Sequence, residues 1–88
     1  MAIIKGELRK PNLLLEDNIL FSLNIETSND FLTWSGHFTI QNTEKIKVGK
    51  TFTIKLEDDR SGKIVIQSLK VNKKGENEVL FVGTGSLK

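Results

Sequence analysis

The sequence predicts an all-β fold, a small antiparallel barrel of six to seven strands with meander-like connectivity. Three observations carry that expectation. Nine Ile, five Val and seven Thr stand against a single Ala. Branched Cβ atoms suit a pleated sheet and lose side-chain freedom in helices. Six segments alternate apolar and polar residues with period two, and turn residues recur about every ten positions with no helical spacer between them. An open β-sandwich is the alternative architecture.

The first segment, Ile3–Arg9, sets Ile4, Gly6 and Leu8 opposite Lys5, Glu7 and Arg9, and Pro11-Asn12 ends it. Leu13-Leu14-Leu15-Glu16-Asp17 follows; it lacks the length of a stable amphipathic helix. The second segment, Asn18–Glu26, points Ile19, Phe21, Leu23 and Ile25 one way, and Thr27-Ser28-Asn29-Asp30 has hairpin-turn chemistry. The third, Phe31–Gln41, alternates over its whole length, with Leu32, Trp34, Gly36, Phe38 and Ile40 on one face. A loop over Asn42–Lys50 leads to the fourth, Thr51–Glu57, whose inward residues are Phe52, Ile54 and Leu56. Asp58-Asp59-Arg60-Ser61-Gly62 turns the chain into the fifth, Lys63–Val71, and Asn72-Lys73-Lys74-Gly75 into the sixth, Glu78–Gly83.

Two details favour closure into a barrel. Gly6, Gly36 and Gly83 sit inside strand patterns, where a strongly coiled sheet needs a position without Cβ. The fifth segment also changes phase: Ile64 and Ile66 are apolar at even positions, Leu69 and Val71 at odd ones. One extra residue near Gln67-Ser68 would restore a single face, which is a β-bulge. The expected core is Ile4, Leu8, Phe21, Leu23, Trp34, Phe38, Ile40, Phe52, Ile54, Leu56, Ile64, Ile66, Leu80 and Val82, with Trp34 packing over Gly36 or Gly6.

Composition bounds the function. Eighty-eight residues hold one core, so the chain reads as a single domain over 1–88. The absence of Cys removes disulfides, thiolate nucleophiles and thiolate metal sites, and a single His removes any multi-histidine site. No metal and no cofactor is expected. The N-terminus carries no signal-peptide pattern and no apolar run is long enough to span a bilayer, so a cytoplasmic protein without a membrane partner is expected. Net charge is +2 but uneven, with three basic and six acidic residues in 1–44 against ten and five in 45–88.

The candidate chemistry is sparse. His37 shares a strand face with Ser35 and Thr39, but residues two apart on a strand lie about 6.5–7 Å apart, and no carboxylate or glycine-rich elbow flanks them. The cluster Glu57-Asp58-Asp59 lacks the spacing of a calcium loop, and Arg60 would oppose a cation. No phosphate-binding glycine motif occurs. A non-enzymatic binding or assembly module acting through protein–protein contacts is therefore expected, with a protein partner or a second copy of the chain. Its candidate contact residues are Val79 and Phe81, from a segment apolar on both faces, and Phe31. The alternative is a nucleic-acid-binding small barrel using two lysine loops, Lys45, Lys47 and Lys50 in one and Lys70, Lys73 and Lys74 at the other. Lysines without an exposed aromatic platform make that the weaker expectation. A salt titration separates the two, because phosphate contacts weaken steeply with salt.

Overall fold

The computed structural model describes residues 2–10, 13–28, 31–41, 44, 46–85 and 87; for Ala2, Ser28, Phe31 and Leu32 it describes the backbone alone. The fold is a closed barrel of six antiparallel strands: β1 (Ala2–Lys10), β2 (Leu13–Ser28), β3 (Phe31–Ile40), β4 (Thr51–Leu56), β5 (Ser61–Val71) and β6 (Asn77–Thr84). Around the barrel the order is β1-β2-β3-β6-β5-β4, with β4 returning to β1. Two three-stranded meanders thus meet along two seams, β3 with β6 and β1 with β4. The segment after β3 is the one connection that carries the chain from one meander to the other.

Alternation fills the barrel from all six strands. Leu8, Phe21, Leu23, Trp34, Phe38, Phe52, Ile54, Leu56, Ile64 and Ile66 are buried as their parity predicts, and Ile4 packs partly buried against them. Burying such side chains stabilises by about 1.5–3 kcal/mol each. No buried polar or charged residue interrupts this interior among the described residues.

The sixth strand reverses the expected face. Val79 and Phe81 are 0% and 1% exposed, whereas Leu80 and Val82 point outward and are only half-buried. Phe81 is the hub of the aromatic core, with ring centroids 6.2 Å from Phe21, 6.2 Å from Trp34 and 5.9 Å from Phe38. The run Val79-Leu80-Phe81-Val82 is apolar at both parities, so alternation alone could not choose its face; the need for rings to interlock does.

Three further differences concern β2 and the loop after β3. Strand β2 begins at Leu13, five residues before the expected start, because two register shifts against β1 break its alternation. At the first, Asp17 and Asn18 stand opposite Glu7, and Asn18 takes the left-handed backbone (φ 53°) that Asn tolerates. Ile25 shares its parity with buried Leu23 and pairs with buried Trp34, yet is itself exposed. Ile46, in a loop with no periodic signal, is buried.

The bulge in β5 lies at Gln67: Ile66 pairs with Phe81 and Ser68 with Leu80. Leu69 consequently stands opposite buried Val79, on the interior side, yet both Leu69 and Val71 are exposed. Glycines mark close approaches. A Cβ on Gly36 would collide with the Ser22 backbone oxygen, and one on Gly83 with the Trp34 indole. Trp34 therefore packs on Gly83, not on Gly36 or Gly6, and its Nε1–H donates to the Gly85 carbonyl at 3.0 Å.

Candidate functional site: an uncharged wall and a lysine-bearing end

With the interior packed by side chains, the residues open to solvent lie on the outer surface. Outward residues line up in cross-strand rows, because directly paired residues share a face. One row runs Thr51–Val65–Val82–Ser35–Asn24 across β4, β5, β6, β3 and β2. The next runs Ser68–Leu80–His37–Ser22–Ile3 across β5, β6, β3, β2 and β1. Neither row contains a Lys, Arg, Asp or Glu, in a chain that is 27% charged. Charges frame the pair: Lys70, Glu78 and Lys5 on one side, Lys63 and Glu26 on the other.

His37 lies near the middle of this wall, half-buried, between Ser22 and Leu80. The nearest carboxylate by register is Glu78, a diagonal neighbour, and its Oε1 faces Lys70 Nζ at 3.8 Å. Among the described residues no group is placed to orient the imidazole toward a nucleophile. No cluster of three or more metal-ligating side chains occurs among the described residues.

The lysine loops come together by topology. In an antiparallel barrel the ends of β1, β3 and β5 lie beside the starts of β2, β4 and β6. The loop before β4 and the turn before β6 therefore project from the same end, together with Lys10. Lys10, Lys47, Lys50, Lys70, Lys73 and Lys74 are all exposed there; Lys45 and the side chain of Phe31 lie outside the described residues. Both turns are firmly built. Gly49 donates to the Ile66 carbonyl at 2.8 Å and Lys50 to Lys47 at 3.1 Å. The Asn72 side-chain oxygen accepts from the backbone N–H of Lys74 at 2.9 Å and of Glu76 at 3.0 Å. Gly49 and Gly75 supply the positive φ values of 87° and 80° that these turns need.

The opposite end carries the acidic hairpin between β4 and β5. Arg60 donates to Asp58 through its guanidinium at 2.7 Å and its backbone N–H at 3.1 Å. Desolvation in the turn acts to raise the Asp58 carboxyl, but these bonds and the guanidinium charge outweigh it and hold the group below its ordinary value. A groove of about 400 Å³ beside the Asn18 bulge is lined by Lys5, Glu7, Asp17, Lys55 and Glu57. Its charges are mixed, and Glu7 already pairs with Arg9 at 2.7 Å.

The structure places Val79 and Phe81 inside the barrel, which corrects their assignment as partner-contacting residues. A side chain at the centre of an aromatic core offers nothing to a partner while the barrel is folded. The outward residues of the same strand, Leu80 and Val82, are available instead. Sequence reasoning missed the wall because its members come from six strands, and only the register brings them into rows. Comparison with known proteins returns no match: no family model, no curated protein and no solved structure is similar to this chain.

Proposed function

We propose that the protein is a non-enzymatic binding or assembly module that acts through protein–protein contacts on the uncharged wall. The observation that carries this reading is the middle of the two rows, where Val82 and Leu80 of β6, Ser35 and His37 of β3 and Asn24 and Ser22 of β2 lie on three adjacent strands without an ionic side chain. Depletion of charge is one compositional mark of an interface core, and the flanking Lys and Glu residues would form its polar rim. The apolar character of β6 on both faces fits the same reading, with Val79 and Phe81 covered by the core and Leu80 and Val82 left for a partner. That no base among the described residues orients His37 or the hydroxyls beside it supports a binding role over a catalytic one.

The test places a photo-crosslinking residue at Ser35, on the wall, and separately at Lys55, an exposed outward position on β4. A discrete adduct is expected from position 35 and not from position 55, its mass distinguishing a second copy from another protein. Leu80→Lys, which sets a charge in the middle of the wall, is expected to abolish the adduct while circular dichroism stays unchanged. Equal crosslinking from both positions, or an adduct indifferent to Leu80→Lys, overturns the proposal.

A further inference from the structure

We propose that the lysine-bearing end of the barrel docks on the surface of an anionic lipid bilayer. Three connections project there, and each joins exposed aliphatic side chains to lysines. Leu13 and Leu14 follow the β1–β2 turn beside Lys10; Val48 lies between Lys47 and Lys50; Leu69 and Val71 accompany Lys70, Lys73 and Lys74. Val48, in the loop, is 59% exposed and Val71, at the end of β5, 65%; single exposed aliphatics are ordinary, but five of the eight large ones among the described residues share this end with the lysines. The hairpin Glu57–Arg60 at the other end has the same kind of tight turn and no exposed aliphatic.

Charge complementarity selects the occupant. Glu16, Glu44, Glu76 and Glu78 share the lysine-bearing end. Glu78 is taken by Lys70, and Glu76 accepts from the Asn72 side-chain amide at 3.3 Å. With Lys70 set against Glu78, five exposed lysines, Lys10, Lys47, Lys50, Lys73 and Lys74, stand against Glu16, Glu44 and Glu76. A nucleic acid would satisfy the lysines but not the aliphatics, since bases stack on rings or guanidinium planes. The ring nearest that end, Phe52, is buried beneath Lys10, whose Nζ lies 5.6 Å from the ring centroid. A bilayer surface satisfies both sets: lysines meet headgroup phosphates and the aliphatic tips enter the acyl boundary. The sequence argues against a membrane partner only because no segment can span; docking on a surface requires no span. The uncharged wall lies on the barrel's side, and Lys70 at its rim is a residue the two surfaces share.

The experiment sediments the full chain with vesicles of phosphatidylcholine alone and with phosphatidylserine added, and titrates duplex DNA in parallel. Binding is expected to the phosphatidylserine vesicles only, weakening as salt rises. Lys73→Gln/Lys74→Gln is expected to weaken it by about 10–30-fold. Val48→Ser/Val71→Ser, which keeps every lysine and alters two exposed positions, is expected to weaken it by about tenfold or more. Circular dichroism confirms that both variants fold. No binding to phosphatidylserine vesicles, or binding indifferent to the valine substitutions, overturns the proposal. DNA binding that outcompetes the vesicles and ignores the valine substitutions assigns the same end to nucleic acid and overturns it equally.

Discussion

At one end of the barrel Trp34 rests against Gly83 and donates its indole N–H to the Gly85 carbonyl; at the other, Ile46 is buried from the loop that joins the two meanders. The first end is closed by a strand residue whose partner is a missing side chain two strand positions from the core's central ring, Phe81. The second is closed by a loop residue whose neighbours Lys47 and Val48 stay in solvent. The Trp34 end is sealed by shape and one directed hydrogen bond, the Ile46 end by aliphatic burial alone. Closure by shape tolerates no added atom, while closure by burial scales with what is removed.

The largest expected effect therefore comes from adding atoms at the Trp34 end. Gly83→Val would place side-chain atoms within the volume of the indole, forcing it off the barrel. A loss of about 3–5 kcal/mol is expected, a large share of what such a domain has to spend. Thermal unfolding followed by fluorescence of Trp34, the only tryptophan, checks this, with emission already red-shifted before unfolding. A loss under about 1 kcal/mol would show that the glycine is not what seats the ring.

At the other end, Ile46→Ala is expected to cost about 2–4 kcal/mol, measured as a lower urea midpoint with an unchanged slope. A cost indistinguishable from that of Val48→Ala, its exposed loop neighbour, would mean that the loop does not close the barrel.

The smallest expected effect is electrostatic and belongs to the acidic hairpin. The folded Asp58 carboxyl titrates below its ordinary value of 3.8. Its contribution is therefore fully present above that value and is lost as pH falls through the lower folded value. Because the side chain is exposed, the effect is small. The stability difference between the wild type and Asp58→Asn should be constant at neutral pH and shrink in acid below about pH 4. A difference that grew on acidification would give the shift the opposite sign.

The contrast between the ends also explains what could be read from the chain. Strand β3 and the inward face of β4 were legible because Trp34, Phe38, Phe52 and Ile54 alternate with hydroxyls and lysine, and period two has one solution there. The bulge at Gln67 was legible as a change of phase. Strand β6 was not, since apolar residues at both parities leave its face to be decided by ring packing around Phe81. The start of β2 was hidden by two bulges, and Ile46 by sitting in a loop with no period at all. Nor could sequence separation reveal that Ile3, Ser22, His37, Leu80 and Ser68 form one row, because each pairing belongs to a different strand junction.

The chain crosses only once between its two meanders, through the loop that carries Ile46. Each meander alone would be a three-stranded sheet with both edges bare, and every one of those edges is matched by an edge of the other. A cut in that loop divides the protein into halves of nearly equal length, neither of which closes without its complement. The fold is thus a natural split pair: two separately expressed fragments should reassemble the barrel on mixing, with association strength reporting the two seams directly.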